Sequence, residues 1–318
     1  MTHLTLERCQ VWIYLGAITF GLGLGVMVPD AASFLDSLLW PVLALLLFAT
    51  FVQVPLWHLP AAFRDHRFIA AVLIGNFVLV PLLVAIMIRW LPDDPPLRLG
   101  ALLVLLVPCT DWFITFTRLG GGDTLRAITV TPLNLVVQLL LLPVYLWLFL
   151  GAEFSQGLNP SDLLPALVVL ILLPLAIAAL TQRWIEGRPE RAVFQQRLAW
   201  WPVPLLALVV GMIAAAHVSV VLASLPVLAH VFWLYVGFLF GAALLAKALS
   251  RMFGLPVEVG RTLAFSLGTR NSFVVLPLAV ALPGGWEAAA VVIVFQSLVE
   301  LFGMVFYLWW IPQRLFVR

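Results

Sequence analysis

The chain has 318 residues, of which 64% are hydrophobic and only 10% are charged, and its formal net charge is +2. This composition excludes a soluble globular protein, because a water-facing surface needs roughly a quarter of all residues to be charged. Two cysteines are too few for a disulfide framework or a zinc site of the CxxC type. The sequence therefore predicts an all-α polytopic membrane protein, for which we expect no metal ion and no cofactor.

Apolar stretches of about 20 residues predict transmembrane helices. In chain order these ten stretches cover residues 9–28, 38–59, 68–91, 99–118, 125–150, 163–182, 201–222, 227–249, 262–282 and 289–311. The first stretch is interpreted as a retained helix rather than a cleaved signal peptide, because the chain continues directly with further spans.

The basic residues indicate how these helices are oriented. Of the 17 lysines and arginines, 14 fall on the side of the membrane that carries both termini. By the positive-inside rule that side is cytoplasmic, which predicts a multi-pass protein of the cell inner (plasma) membrane. Arg89 and Arg98 fall on the opposite side, and Arg270 lies within the ninth span and belongs to no connection.

The ten spans divide into two predicted repeats of five helices, at 9–150 and 163–311. An odd number of helices inverts the second repeat relative to the first, within a single membrane transporter domain, 1–318. Each repeat has a polar interruption: "VPCTDWFITFTRLGGGD" at 107–123 in the fourth span and "AFSLGTRNSFVVLPLAV" at 264–280 in the ninth. Such corresponding breaks point to a substrate site near mid-membrane, because unwound backbone is tolerated only inside protein or beside a cavity. We therefore expect helices four and nine to be broken and to cross.

Three ionisable residues lie deep within predicted spans: Asp111, Arg270 and Glu300. Each costs roughly 2.5–3.5 kcal/mol at a helix centre, so each is expected to face the protein interior and to pair. We interpret Asp111 and Arg270 as substrate-binding residues. The alternative is a purely structural ion pair of Arg270 with Asp111 or Glu300. Glu300, as a buried carboxyl group, is a candidate carrier of the coupling proton, and Asp111 is a second candidate.

Uncharged residues complete the predicted site. Cys109 is by position an apolar filler, but Pro108 beside it frees a backbone carbonyl group, and a thiolate is a soft ligand for a soft element. Thr110 and Asn271 lie in the two predicted breaks and are assigned to substrate binding together with Cys109.

Supporting roles are expected for three further polar residues. Asn134 and Gln138 lie one turn apart in the fifth span, where they either bind substrate or hydrogen-bond neighbouring helices. Ser266 precedes Arg270 by four residues in the ninth span. His217, in the seventh span, either relays protons or bonds to a carbonyl group.

Four stretches carry a resemblance to known proteins. Cys109 is followed 13 and 14 positions later by Gly122 and Asp123, the fifth span reads "TPLNLVVQLLLLPVYLWLFL", and the last span contains "SLVELFGMVFY" around Glu300. The ninth-span "AFSLGTRNSF" is a looser match. Together they resemble the bile acid:sodium symporter superfamily, and within it most closely the arsenite-efflux permease family of arsenical resistance.

This resemblance implies a ten-helix fold with a core and a panel domain, crossing fourth and ninth helices, and transport by alternating access. It also implies that Cys109 and Glu300 take the roles of the family's cysteine and glutamate in metalloid extrusion. The chain departs from the permeases at Asp111, where they are mostly apolar, and at residues 270–273, where they have Asn-Asn-Phe-Glu. In the sodium-coupled branch, glutamate and glutamine stand at the positions of Ser266 and Arg270. Since a cation beside Arg270 is electrostatically disfavoured, we expect protons rather than sodium as the coupling ion.

The leading hypothesis is a secondary active transporter that exports arsenite or a related metalloid by antiport with protons. A carrier of a small organic or inorganic anion, with Arg270 as the ligand, is the alternative on the same fold. An intramembrane enzyme would need Cys109 and His217 as nucleophile and base, and no motif relates them, so no enzymatic activity is expected. The expected partners are the small-molecule or ionic substrate, protons and the lipid bilayer, with no nucleic acid, and the sequence is compatible with an oligomer.

Overall fold

The computed structural model describes residues 3–54, 65–110, 112–157, 167–186 and 188–317. Their regular secondary structure is helical, and they form no β-strand beyond one isolated bridge. The helices are α1 (His3–Met27), α2 (Ala32–Phe51), α3 (His66–Ile74), α4 (Val80–Met87), α5 (Pro95–Leu105), α6 (Trp112–Leu119), α7 (Thr124–Gly157), α8 (Leu173–Ile185), α9 (Pro189–Leu198), α10 (Pro202–Ala216), α11 (Val218–Met252), α12 (Val257–Gly268), α13 (Ser272–Val280) and α14 (Glu287–Trp310). Short π-helical segments join α3 to α4 (Gly75–Leu79), precede α8 (Leu167–Leu172) and follow α14 (Ile311–Leu315).

Within these described ranges, eight helical segments are long and apolar enough to cross a membrane. They are Gln10–Met27, Pro29–Phe51, His66–Trp90, Thr124–Phe149, Val168–Ile185, Glu190–Ala216, Val218–Met252 and Glu287–Leu315. They confirm the prediction of an all-α polytopic membrane protein. The fourth and ninth predicted spans are absent from this set because each consists of two shorter helices, α5 with α6 and α12 with α13.

The second predicted span, 38–59, was placed too late in the chain. Its helix α2 begins at Ala32 and ends at Phe51, and residues 55–59 of the prediction lie outside the described residues. The prediction placed Asp36 in the connection before this span. The carboxylate of Asp36 is in fact accommodated within α2, half-exposed and 3.3 Å from Nε2 of His217.

The predicted connection at 223–226, between spans seven and eight, was also wrong. Helix α10 ends at Ala216, His217 takes a non-helical conformation (φ −117°, ψ 37°), and α11 runs from Val218 through Pro226 to Met252. Hydropathy alone gives no signal here, because the sequence is apolar on both sides of His217. At 1.5 Å per residue, the 35 residues of α11 extend over about 53 Å, longer than the hydrocarbon core of a bilayer.

The described residues form two compact units. The first comprises Met1–Gln53, Ser155–Pro226 and Phe273–Val294, and the second comprises Val54–Phe154, Val227–Ser272 and Phe295–Arg318.

In the first unit, α1 packs closely against α10 through small residues. A Cβ atom on Gly21 would lie 2.2 Å from the carbonyl oxygen of Gly211, and one on Gly25 would lie 2.2 Å from that of Ala215. Both pairs are spaced by four residues, so two successive turns of each helix meet backbone to backbone. This is the small-residue packing typical of membrane helices, where close approach supplies the van der Waals contact that the hydrophobic effect does not.

In the second unit, an ion cluster ties the start of α3 to the start of α7. Arg126 donates to Asp65 at 2.7 Å and also to Asp123, whose own N–H donates to Oγ1 of Thr262 at 2.7 Å. Burial raises the pKa of the Asp65 carboxyl group, but hydrogen bonds from Arg126 and from the N–H of Phe68 lower it by more, so the net pKa lies below its usual value. The cluster also fixes the turn that leads from α6 into α7.

Candidate substrate site

The fourth segment is interrupted at a proline. Helix α5 ends at Leu105, and α6 begins at Trp112. Pro108 has no N–H group to donate to a helix, and its ring disfavours the helical conformation of Val107 before it. The residues between the two helices are therefore unwound, and they include Cys109 and Thr110. Asp111, predicted to bind substrate and to carry protons, lies outside the described residues, so its pairing with Arg270 stays a prediction.

The ninth segment is interrupted after a glycine. Helix α12 ends at Gly268, Thr269 is extended (φ −99°, ψ 141°), and α13 begins at Ser272. A Cβ atom on Gly268 would lie 2.6 Å from the ring of Tyr307, so only glycine allows α14 to approach the end of α12 this closely. The unwound residues include Arg270 and Asn271.

The two interruptions are hydrogen-bonded to each other. Pro108 and Arg270 form an antiparallel bridge, in which the N–H of Asn271 donates to the carbonyl oxygen of Val107 at 2.8 Å. Next to the bridge, the N–H of Cys109 donates to the carbonyl oxygen of Thr269 at 3.2 Å. The unwound backbone of each segment thus hydrogen-bonds to that of the other. Backbone N–H and carbonyl groups need such partners where they are buried away from water.

Four predicted site residues are brought together by this bridge. Cys109, Thr110, Arg270 and Asn271 are all buried, and Nδ2 of Asn271 donates to Oγ1 of Thr110 at 3.0 Å. The thiol of Cys109 is in no disulfide. The arrangement combines a thiol, a hydroxyl group and an amide group at buried positions.

The guanidinium group of Arg270 is surrounded by oxygen atoms. Nη1 donates to the carbonyl oxygen of Leu105 at 3.2 Å, and Nη2 donates to the carbonyl oxygens of Ser266 at 3.1 Å and Leu267 at 2.7 Å. Nη2 also donates to Oδ1 of Asn76 at 2.8 Å. Among the described residues, the hydrogen bonds of this guanidinium group go to carbonyl and amide oxygens. Glu300 acts on it through Coulombic attraction, and the structural pair predicted between the side chains of Arg270 and Glu300 stays a prediction.

Glu300 is instead bonded to the backbone of the bridge. Its Oε2 atom accepts from the N–H of Arg270 at 2.8 Å and from Nε2 of Gln296 at 2.6 Å. Oε1 of Gln296 in turn accepts from the hydroxyl group of Ser272 at 2.9 Å. Glu300 is 2% exposed, so its carboxyl group lies within the protein, at the end of a buried polar chain that begins at Ser272.

Asn134 and Gln138 occupy the buried face of α7. They are 0% and 1% exposed, yet neither amide group has a hydrogen-bond partner among the described residues. The hydrogen bonds to neighbouring helices that the sequence suggested for Asn134 and Gln138 are therefore not formed among the described residues. Ser266 is hydrogen-bonded within the protein, because its hydroxyl group accepts from Nδ2 of Asn76 at 3.1 Å.

Two residues that the sequence reasoning missed are central to this geometry. Asn76, in the π-helical segment Gly75–Leu79, joins Arg270 to Ser266, and Gln296 holds the carboxyl group of Glu300. Each is the single amide of its helical segment, which was the only available signal. Among the residues that the structure describes, no three or more His, Cys, Asp or Glu side chains form a group suited to a metal ion.

Two comparisons relate the chain to known proteins. The family model described as the Sodium Bile acid symporter family matches residues 40–224, more than half of the chain. The arsenical-resistance protein Acr3 of Corynebacterium glutamicum is similar to this chain at 23% identity over 338 aligned positions, covering 96% of this chain and 89% of that protein. This similarity extends through the ninth and last segments, which the family match does not reach. Both relationships agree with the resemblance inferred from the sequence and are with transporters rather than enzymes. The chain therefore belongs to the Sodium Bile acid symporter family.

Proposed function

We propose that the chain is a proton-coupled secondary transporter that exports arsenite or a related trivalent metalloid. The observation that carries this proposal is the bridge between the two interrupted segments. A buried thiol, that of Cys109, lies one residue from the bridge, and a buried carboxyl group, that of Glu300, is bonded to its backbone. The similarity to an arsenical-resistance protein supports the choice of substrate.

The site suits a small, neutral and soft substrate. Arsenite in neutral water is largely the uncharged trihydroxide, whose arsenic atom prefers sulfur ligands and whose hydroxyl groups both donate and accept hydrogen bonds. Cys109 supplies sulfur, and Thr110 and Asn271 supply polar partners. A single thiol holds trivalent arsenic weakly, which allows the release that transport requires. Asn134 and Gln138 are further candidates for the hydroxyl groups, because their buried amide groups have no partner within the described residues.

Glu300 is the proposed carrier of the coupling proton. Its Oε2 atom accepts from the backbone N–H of Arg270, a residue of the bridge. Protonation of the carboxyl group weakens the hydrogen bonds that it accepts, because a neutral acceptor is weaker than a charged one. Proton binding at Glu300 is thereby coupled to the geometry of the unwound segments. Asp111, outside the described residues, is retained as a second candidate carrier.

The proposed topology has ten transmembrane helices in two inverted repeats, with both termini in the cytoplasm and the fourth and ninth helices broken and crossing. Eight long apolar helices together with two interrupted segments support this count. Alternating access would then expose the bridge region to the two sides of the inner membrane in turn.

A carrier of a small anion is the second candidate, because Arg270 is a buried cation at the bridge. Its Nη1 and Nη2 atoms already donate to four oxygen atoms of the protein. An anion would have to displace these acceptors in order to bind the same face of the guanidinium group. The geometry therefore favours a structural role for Nη1 and Nη2, and it leaves to an anion only Nε, which has no hydrogen-bond partner among the described residues.

The test is arsenite uptake into everted membrane vesicles that contain Cys109→Ser or Cys9→Ser, the only two cysteines of the chain. We expect Cys109→Ser to lose most of the uptake at unchanged expression, because a hydroxyl group is a poor ligand for a soft element. Cys9→Ser is expected to retain it. If Cys109→Ser transports arsenite as well as the wild type does, the metalloid proposal fails. Arsenite-independent uptake of an anion that Arg270→Lys abolishes would then favour the anion carrier.

A further inference from the structure

The three backbone oxygens around Arg270 share one property. In an uninterrupted helix, the carbonyl groups of Leu105, Ser266 and Leu267 would accept from the N–H groups four residues later, which belong to Cys109, Arg270 and Asn271. Those three N–H groups donate instead to Thr269, Glu300 and Val107. The guanidinium group therefore binds the carbonyl oxygens that the two helix breaks deprive of their usual donors.

The electrostatic setting of these oxygens favours a cation. They lie at the carboxyl-terminal ends of α5 and α12, where each helix dipole carries partial negative charge. Oδ1 of Asn76 adds a fourth oxygen, 2.8 Å from Nη2. The ring of Phe238 lies 5.3 Å from Cζ of the guanidinium group and presents a face that also attracts a cation.

We propose that this cluster is a monovalent-cation site whose permanent occupant is the side chain of Arg270. We call the oxygens of Leu105, Ser266, Leu267 and Asn76 the oxygen cage. Carbonyl oxygens are the groups that replace the hydration shell of a monovalent cation in potassium channels. A tethered guanidinium group satisfies the cage without a soluble ion, so the wild-type protein needs no alkali cation at this position.

It follows that removing the side chain should create a site for a soluble cation. Arg270→Ala deletes the guanidinium group but leaves the four oxygens. The cage, which is buried, is then left with unsatisfied acceptors that destabilise the fold until an ion binds. A free guanidinium ion matches the lost group in charge and shape, and sodium matches it in charge alone.

The test is the apparent Tm of the purified full-length protein in detergent, measured in choline chloride, sodium chloride or guanidinium chloride. All three salts are used at equal ionic strength and at concentrations far below those that denature proteins. We expect Arg270→Ala to unfold several degrees higher, and saturably, in guanidinium or sodium than in choline, which is too large for the cage. The wild type should show no such preference. This readout needs no substrate, so its outcome is independent of whether arsenite is transported.

Three control variants make the result specific. Arg126→Ala removes a half-exposed arginine from an ion cluster and should show no cation preference, because water already solvates its partners. Adding Asn76→Leu to Arg270→Ala should weaken the cation response, since one cage oxygen is lost. Arg270→Lys keeps a tethered charge and should unfold without cation preference.

Three results would overturn the proposal. One is an Arg270→Ala protein whose Tm is the same in choline, sodium and guanidinium, or shifts no more than that of the wild type. Another is failure to recover Arg270→Ala in any of these cations while Arg270→Lys is well expressed, because the cage would then require the side chain itself. Persistence of the full response in the double variant would also contradict it, since the ion would be bound elsewhere.

Discussion

Replacing Asn76 with leucine should destabilise the protein markedly, whereas the same change at Asn134 should not. Both asparagines are 0% exposed, but only Asn76 has partners: Oδ1 accepts from Arg270 and Nδ2 donates to Ser266. A hydrogen bond to a charged group contributes about 1.5–3 kcal/mol and a neutral one about 0.5–1.5 kcal/mol. Asn76→Leu should therefore cost about 2–4.5 kcal/mol more than Asn134→Leu, because the apolar gain of the new side chain is common to both.

Asn134→Leu serves as the matched control because the amide group of Asn134 has no partner among the described residues. Replacing an unsatisfied buried amide with an apolar group of similar size is expected to be neutral or stabilising. The assay is the apparent Tm of each purified variant in one detergent. With roughly 2–4 °C per kcal/mol for chains of 150–250 residues, and less for a longer chain, we expect a gap of several degrees. Equal Tm values for the two variants would refute the hydrogen-bond reasoning for Asn76 and for the oxygen cage.

Two further changes test the packing and the ion cluster by Tm. Gly21→Ala should lower Tm because its Cβ atom would lie 2.2 Å from the carbonyl oxygen of Gly211, while Gly23→Ala on the same helix, with nothing within 4 Å, should leave Tm unchanged or raise it. An equal effect of the two would contradict the packing of α1 on α10. Asp65→Asn should lower Tm slightly at neutral pH, by about 0.2–1 kcal/mol of stability for a partly exposed ion pair. The pKa of Asp65 is lower in the folded than in the unfolded state, so this stabilisation is present above about pH 4 and is lost as the pH falls through the folded pKa. A Tm difference between wild type and Asp65→Asn that grows in acid would contradict this.

The two interruptions could be predicted from sequence because their signals are local. Pro108 cannot donate a helical hydrogen bond, and Arg270 is too costly to face lipid, so both had to mark breaks within the protein. The limits of the long helices were harder to predict. Asp36 lies within α2 and 3.3 Å from Nε2 of His217, a contact that depends on the tertiary fold.

The partners of the buried polar residues could not be predicted for a physical reason. The guanidinium group of Arg270 donates to three backbone carbonyl groups, which every residue carries and no sequence pattern distinguishes. Asn76 and Gln296 are each the single amide of their helical segment. Their importance follows from where the π-helical segment and α14 bring them, beside Arg270 and Glu300.

The decisive experiment for proton-coupled arsenite export is transport by the purified protein in proteoliposomes. The measurement is the initial rate of arsenite accumulation under an imposed pH gradient, with sodium or potassium as the sole alkali cation on both sides. We expect that accumulation follows the pH gradient, is the same in both cations, and collapses when the gradient is dissipated or when Glu300 is replaced by glutamine. Accumulation that requires sodium and ignores the pH gradient would contradict the proposed coupling, and no arsenite transport by a folded protein would contradict the proposed function.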